Sequence, residues 1–115
     1  MDMLKKSLRL KTKKDFERVF REGTPLFFGV IACKIVQNKF GHIRLGFSFS
    51  KRHFTKAVSR NRLRRVLSEP FSRNLSQKQN SPAVDVAFFT IKKESRGELG
   101  SFASVAESVV KYINQ

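Results

Sequence analysis

Basic side chains crowd residues 51 to 65, where the residue types are well suited to binding an anion. Arginine carries a planar, permanently charged guanidinium that pairs with phosphate through two parallel hydrogen bonds. Asn61 adds donors and an acceptor that fit a base edge or a ribose hydroxyl. These residue types predict RNA as the partner of the segment. The candidate binding residues are Lys51, Arg52, Lys56, Arg60, Asn61, Arg62, Arg64 and Arg65.

An ordinary solvated helix face is the alternative to an RNA-binding surface for this segment. At about 100° of rotation per residue, Leu63, Val66 and Leu67 share one side of a helix and the basic residues spread around the rest. Solvated faces usually intersperse glutamate with lysine or arginine at a spacing of four residues. Here Glu69 is reached only at the end of the run, so the pattern favours an anionic partner.

The whole chain is strongly basic, with 24 lysines and arginines, 9 acidic residues and a net charge of +15. The first 70 residues hold 18 of the basic and 5 of the acidic side chains, so one end or face must be the more positive. Charge that serves solubility alone usually mixes both signs. Self-repulsion of this size indicates a polyanionic partner, and nucleic acid is the one that we expect.

The same sequence offers little for protein-based catalysis. The acids Asp15, Glu69 and Asp85 are scattered over separate predicted elements, whereas a metal-dependent nuclease needs clustered carboxylates. His42 and His53 are isolated from each other in sequence. We therefore predict no catalytic residue and no metal site on the protein itself.

Cys33 is the only cysteine, which excludes an intrachain disulfide and fits a reducing cytoplasm. It lies in an apolar run, which favours a buried small hydrophobe over a reactive thiol. No segment approaches the roughly 18 uninterrupted apolar residues of a membrane span, and the N-terminus lacks the pattern of a secretory signal. We expect a cytoplasmic protein without a membrane partner.

Periodicity predicts one domain over residues 1 to 115, with a flexible basic arm at residues 1 to 11. Thr12 and Asp15 resemble a capping box that begins a helix, and Gly23 is expected to end it in the left-handed conformation. Residues 26 to 37 are rich in strand formers, and apolar side chains alternate with others from 43 to 50. We predict that these two segments pair as antiparallel neighbours.

The second half of the chain predicts a helix, a strand and a final helix. The arginine-rich helix covers residues 55 to 71, where Pro70 marks its end, and residues 72 to 82 have the composition of an exposed loop. Residues 84 to 91 are apolar nearly throughout, which is typical of a strand covered on both faces. Ser101 is expected to cap the last amphipathic helix.

Three motifs around the basic helix are similar to the signature of the bacterial ribonuclease P protein subunit. Residues 15 to 23 also resemble the first helix of that family, so the similarity spans roughly residues 5 to 114. The motifs are Phe49-Ser50-Lys51-Arg52, Lys56-Ala57-Val58 and Arg60-Asn61-Arg62-Leu63-Arg64-Arg65.

The resemblance implies an α+β fold, a single-domain α-β-β-β-α-β-α sandwich with a central four-stranded sheet and a left-handed βαβ crossover around the basic helix. It also implies a protein that binds a large catalytic RNA, which removes the 5′ leader of precursor tRNA with Mg²⁺ held mainly by the RNA. The basic segment then matches the site for the catalytic RNA, and Phe16 and Phe20 match a cleft for the leader. The partners expected are these two RNAs and no DNA.

Several residues suit a second role or depart from the family pattern. Phe16, Val19 and Phe20 have core-helix spacing, so periodicity by itself favours burial over base stacking. Ser68 stands where the family usually continues with arginine, His53-Phe54 replaces a small-residue turn, and Phe49 is bulkier than the common valine. A basic ribosome-associated protein or RNA chaperone without enzymatic function remains the alternative, because charge and an α+β fold would suit it equally.

Overall fold

The computed structural model describes residues 9–77, 83–93 and 102–114. The order of elements is α-β-β-β-α-β-α, which confirms the predicted fold class. The helices are α1 (Lys13–Glu22), α2 (Ala57–Gln77) and α3 (Phe102–Ile113), and the strands are β1 (Thr24–Phe28), β2 (Ile31–Gln37), β3 (Arg44–Ser48) and β4 (Val84–Thr90).

The strands form one four-stranded sheet in the order β1-β2-β4-β3. β2 pairs antiparallel with β1 and β4, while β3 pairs with β4 in parallel, with Leu45 opposite Val86. The predicted hairpin between residues 26–37 and 43–50 is therefore wrong, because β4 lies between the two segments. β4 is apolar enough to be covered on both faces, so the central position suits it. The left-handed sense of the β3-α2-β4 crossover stays a prediction.

Helices cover both faces of the sheet. The larger core lies under α2 and α3, where Leu63, Leu67 and Phe102 pack with Leu45 and Phe88. A smaller cluster on the other face joins Val19 of α1 to Leu10 and Ala87. The alternation seen in residues 43 to 50 is confirmed, because Leu45 and Phe47 face the first core while Arg44 and Gly46 face α1.

Helix α2 passes through Pro70, so the predicted end of the helix and the predicted loop from residue 72 are wrong as far as Gln77. Proline lacks the N–H that would bond to the carbonyl four residues earlier. The helix is nevertheless held by packing on both sides of the missing hydrogen bond, because Leu67 and Phe71 are both buried. The centre of the Phe71 ring lies 6.0 Å from that of Phe88, with the rings edge to face. Residues 78–82 lie outside the described part of the chain.

Two further local predictions need correction. The arm is ordered at its end, because Leu10 is buried and its N–H donates to the carbonyl of Leu45 at 2.7 Å, while residues 1–8 lie outside the described range. Gly23 ends α1 but has an extended conformation with φ of −76°. Glycine is needed there for space, since a Cβ atom would lie 2.5 Å from the Val19 carbonyl oxygen.

The predicted caps have separate outcomes. The Thr12 hydroxyl accepts from the Asp15 N–H at 3.1 Å, as the capping pair predicts. Ser101, the predicted cap of α3, lies outside the described residues. Over the described ranges, no helix combines the length and the apolar character that crossing a membrane requires.

Candidate RNA interface

The basic segment of residues 51–65 forms the approach to α2 and its first turns. Leu63 and Leu67 are fully buried against the sheet, so the remaining sides of this part of α2 turn away from the core. The first turn contains no acidic residue. Within the described residues, no ion pair joins any of these basic side chains to a carboxylate. The exposed cations are Lys51, Arg52, Lys56, Arg62 and Arg65.

Arg60 has a structural role that the sequence did not predict. Its guanidinium donates to the backbone carbonyls of Phe54 and Thr55 at 2.7 and 3.1 Å, and the residue is only partly exposed. Hydrogen bonds from a charged donor stabilise more than neutral ones do. Arg60 therefore fastens the approach loop to α2, and part of its hydrogen-bonding capacity is already used.

Arg64 is also held in place. Its guanidinium donates to the Asn61 side-chain oxygen at 2.8 Å and lies 5.6 Å from the centre of the Phe49 ring. Asn61 is exposed, and its amide nitrogen stays available to an incoming RNA group. The bulky Phe49 thus supports an arginine of the basic segment, a contact that a smaller side chain would not make.

Phe16 and Phe20 lie on the opposite face of the sheet, along α1. Their rings are stacked with centroids 6.3 Å apart, and Phe20 meets Phe89 of β4 edge-on at 5.3 Å. Both are partly exposed, whereas Val19 between them is fully buried. The burial that core-helix spacing favours is therefore complete for Val19 and partial for the two phenylalanines. Phe16 nevertheless lies near the basic segment, because Phe16 and Arg64 line a common cavity of about 230 Å³ beside β3.

Lys34 and Phe89 also contact Phe20, and the sequence did not predict either contact. The Lys34 ammonium donates to the Phe20 carbonyl oxygen at 2.6 Å and lies 5.9 Å from the centre of the Phe20 ring. A signal for Lys34 was available, because it is the only charged residue in the apolar stretch of residues 26 to 37. Phe89 carried no such signal in a strand that is apolar nearly throughout.

A buried ionic cluster fixes α1 to the sheet through Asp15 and Arg18. Asp85 is fully buried and accepts from Arg44 at 2.8 and 2.9 Å, from Arg18 at 3.0 Å and from Asn38 at 2.8 Å. Burial would raise the pKa of Asp85, but hydrogen bonds from Arg44 and Asn38 and the charges of Arg44 and Arg18 lower it below its ordinary value. The same contact with Asp85 raises the pKa of Arg44.

Two of the acids that seemed scattered in sequence meet at this cluster. Asp15 lies 3.4 Å from the Arg44 guanidinium, so Asp15 and Asp85 share one arginine. Arg44 also lies 4.0 Å from the centre of the Phe40 ring. In the described residues, no group of three or more histidine, cysteine or acidic side chains could hold a metal ion. The contacts of Asp15 and Asp85 with Arg44 therefore hold α1 against the sheet.

The remaining chemically active side chains are engaged in structure. Nδ1 of His53 lies 2.9 Å from the Thr90 hydroxyl, and Nδ1 of His42 lies 3.0 Å from the carbonyl of Ile43. Cys33 is fully buried, and burial raises the pKa of its thiol to about 12. The prediction that Cys33 behaves as a buried hydrophobe is confirmed.

The sequence matches the Ribonuclease P family over residues 4–114. It is 37% identical over 86 residues to the ribonuclease P protein component of Legionella pneumophila strain Corby, covering 75% of this chain and 71% of the relative. The corresponding protein of Clostridioides difficile is 34% identical over 79 residues, or 69% of this chain and 68% of the relative.

Solved structures show the same similarity. The RNase P protein of Staphylococcus aureus superposes with a TM-score of 0.77 at 27% identity, over 93% of this chain and 95% of that one. The RNase P protein of Thermotoga maritima gives a TM-score of 0.65 at 25% identity, over 91% and 94% of the two chains.

Proposed function

The chain belongs to the ribonuclease P protein family, and we propose that it is the protein subunit of an RNA-based endoribonuclease that removes the 5′ leader of precursor tRNA. In this proposal a catalytic RNA hydrolyses one phosphodiester bond and leaves a 5′ phosphate on the mature tRNA. The protein binds the catalytic RNA and the leader and screens the repulsion between the two RNAs. The proposed location is the bacterial cytoplasm, where both RNAs are made.

The observation that carries the proposal is the unneutralised basic surface at the start of α2. Five basic side chains are exposed there, and none of them forms an ion pair with a carboxylate in the described part of the chain. Phosphates of a folded RNA would supply the missing anions, and each contact would release condensed counterions. Arg60 and Arg64 would act differently, because the protein already orients their guanidinium groups.

The aromatic cleft at Phe16, Phe20 and Phe89 supports the second part of the proposal. Aromatic rings stack on any base for roughly 1 to 3 kcal/mol, so such a cleft suits a single-stranded leader of variable sequence. Lys34 adds a positive charge beside the Phe20 ring. The leader would thus lie beside the catalytic RNA, since Phe16 and Arg64 line one cavity at the edge of β3.

The proposal assigns the reactive Mg²⁺ ions to the RNA. In the described residues Asp85 and Asp15 are already paired with Arg44, and no group of three or more histidine, cysteine or acidic side chains could hold a cation. The contribution of the protein would then be electrostatic, since its cations reduce the number of Mg²⁺ ions that the two RNAs need in order to approach each other.

Reconstitution with the cognate RNA at low Mg²⁺ tests the proposal. Removal of the 5′ leader should be fast with the protein and slow without it, and high Mg²⁺ should reduce the difference. A variant with Arg52, Arg62 and Arg65 replaced by alanine should bind the catalytic RNA less tightly, with a log-log salt slope smaller by about 0.7 to 0.9 per lost contact. Protein-independent rates at low Mg²⁺ would refute the proposed function.

The cleft is tested by Phe20→Ala, with Tyr112→Ala on α3 as the matched control. Phe20→Ala should weaken precursor tRNA binding by about 5- to 150-fold and leave mature tRNA binding unchanged, because only the precursor carries a leader that can stack on the ring. Tyr112 is 43% exposed on the other side of the sheet, so its loss should affect neither. Equal losses for both tRNAs would remove Phe20 from the leader site.

A further inference from the structure

The loop that connects β3 to α2 carries two of the exposed basic side chains. This approach loop, residues 49–56, begins with Phe49 and returns to the core at Phe54, whose side chain is fully buried. The centres of these two rings lie 6.5 Å apart. Lys51 and Arg52 lie between the two anchors in sequence and are exposed. The shape of the loop therefore decides where the two charges are held.

Thr90 is the residue through which the sheet holds this loop. It is the last residue of β4, and it is only 8% exposed. Its hydroxyl oxygen accepts from the Ser50 N–H at 2.9 Å, and Nδ1 of His53 lies 2.9 Å from the same oxygen. One buried hydroxyl therefore joins the two sides of the turn that contains Lys51 and Arg52.

Ser50 extends this connection through the rest of the turn. Its side-chain oxygen accepts from the Arg52 N–H at 3.1 Å. Its carbonyl oxygen accepts from the N–H groups of His53 and Phe54 at 3.1 and 2.9 Å. Fixing Ser50 through Thr90 thus also fixes the backbone that follows it. A loop that is ordered before binding avoids an entropy cost that binding would otherwise have to offset.

The proton in the contact between Thr90 and His53 can be assigned from the bonds around it. A hydroxyl group has one proton to donate and two lone pairs that accept. The Ser50 N–H uses one lone pair, and Nδ1 of His53 is the acceptor that the described residues offer to the hydroxyl proton. A buried donor without an acceptor is costly. The hydroxyl therefore donates to Nδ1, and the neutral ring carries its proton on Nε2.

We propose that Thr90 and His53 are positioning residues for RNA binding, which hold the approach loop in the shape that presents Lys51 and Arg52 to phosphates. The inference rests on the proposed function in one respect, namely that RNA is the partner of the basic segment. Thr90 is buried, so it acts through the loop and not by contact with RNA. His53 acts through its contact with Thr90.

Thr90→Val tests the proposal, with Thr90→Ser as the conservative variant. Valine keeps the shape of the side chain and removes the hydroxyl, so the loop loses both of its bonds to position 90. Thr90→Val should weaken binding to the catalytic RNA by about three- to tenfold, because the binding-competent loop is then populated for only part of the time. Thr90→Ser should bind as tightly as wild type. Thr24→Val, the same change at an exposed position of β1, should have no effect.

A double-mutant cycle separates positioning from a general effect on the fold. In a protein that already carries Lys51→Ala and Arg52→Ala, adding Thr90→Val should cause no further loss of RNA affinity, since the charges that Thr90 positions are gone. Affinities are compared at a temperature at which circular dichroism shows every variant to be folded. A loss of the same size in both backgrounds would show that Thr90 only supports the fold, and it would overturn the proposal. Wild-type affinity of a folded Thr90→Val protein would do the same.

His53 provides a second test at a partly exposed position, which decides the question if Thr90→Val does not fold. His53→Asn keeps an acceptor near the place of Nδ1, whereas His53→Leu removes it, and both new side chains are uncharged. His53→Leu should bind the catalytic RNA about two- to tenfold more weakly than His53→Asn. Equal binding by the two variants would overturn the proposal.

The free protein gives a spectroscopic readout of the same contact. Above about pH 8, Nδ1 of His53 should have the ¹⁵N chemical shift of an unprotonated ring nitrogen and Nε2 that of a protonated one. Thr90→Val should speed the hydrogen exchange of the Ser50 amide, because its acceptor is lost. The reverse assignment of the ring nitrogens, or unchanged exchange at Ser50, would contradict the proposed contact.

Reconstitution separates the failure of this inference from the failure of the proposed function. If wild type supports leader removal and Thr90→Val binds the catalytic RNA equally well, the positioning role fails and the proposed function stands. If wild type supports no leader removal, the proposed function fails. The affinities of the same variants for bulk transfer RNA then still test whether Thr90 and His53 position the two charges for phosphate.

Discussion

The ionic cluster at Asp85 should dominate the stability of the α1 layer, and Asp85→Asn tests this directly. The substitution keeps the shape of the side chain and removes its charge. Arg44, whose side chain is 11% exposed, would then face an amide that cannot neutralise it. The contact with Asn38 would also be lost or reversed, because an amide at position 85 offers one acceptor oxygen where the carboxylate offers two.

The expected loss is about 3 kcal/mol in the free energy of unfolding. Removing one partner of a buried ion pair costs about 3 to 5 kcal/mol. We expect the lower end, because the Arg18 side chain is 33% exposed and water can replace part of its contact with Asp85. With a urea m-value of about 1.5 kcal/mol/M for a small domain, the unfolding midpoint should fall by about 2 M.

The pH dependence gives a second readout with a definite sign. The folded-state pKa of Asp85 lies below its ordinary value of about 3.9, so the ionised group stabilises the fold above about pH 4. That contribution is lost as the pH falls through the folded-state pKa. Urea titrations between pH 7 and pH 3 should therefore show wild type and Asp85→Asn converging at low pH.

Glu22→Gln is the matched control, because Glu22 also pairs with Arg18 but on the surface, with 48% of its side chain exposed. Its loss should cost less than about 1 kcal/mol. If Asp85→Asn and Glu22→Gln lower the urea midpoint equally, the reasoning about burial is refuted. A constant difference between wild type and Asp85→Asn across the pH range would refute the assigned titration.

Other predictions concern single positions. Arg60→Ala should lower stability by about 1.5 to 3 kcal/mol through its lost carbonyl contacts, whereas Arg62→Ala should leave the thermal midpoint unchanged and reduce only the salt slope of RNA binding. Gly46→Ala should cost about 1 to 3 kcal/mol, because the new methyl group would displace Phe16. An unaltered urea midpoint would contradict that packing. The Cys33 thiol should resist alkylation at pH 8 until urea unfolds the chain, and rapid labelling of native protein would show that it is accessible.

The parts of the fold that follow from local pattern were predictable. The alternation in β3 placed Leu45 toward the core and Arg44 away from it, and the buried stripe of α2 followed from helical spacing. The basic surface was found because residue type and density were enough to identify it. The sequence could not show which arginines of this surface bind the protein's own backbone. Arg60 and Arg62 are the same residue type, and only Arg60 donates to nearby carbonyl oxygens.

The parts that depend on distant residues were not predictable from pattern. Asp85 meets Arg18 and Arg44 across 67 and 41 residues, and no periodicity connects them. The order of the strands failed for the same reason, because the loop after β2 has hairpin length although β4 separates β2 from β3. At Pro70 the local rule for ending a helix was outweighed by the packing of Phe71.

The position of β4 also constrains how the chain can assemble during translation. Its residues, Val84–Thr90, occupy the space between β2 and β3, which come much earlier in the chain. A nascent chain that has not yet released this stretch from the ribosome therefore exposes two unpaired strand edges, which are prone to aggregation. The sheet can be completed only after most of the protein has been synthesised. The contacts that α1 makes with β4, including the Arg18–Asp85 ion pair, can form only at that stage.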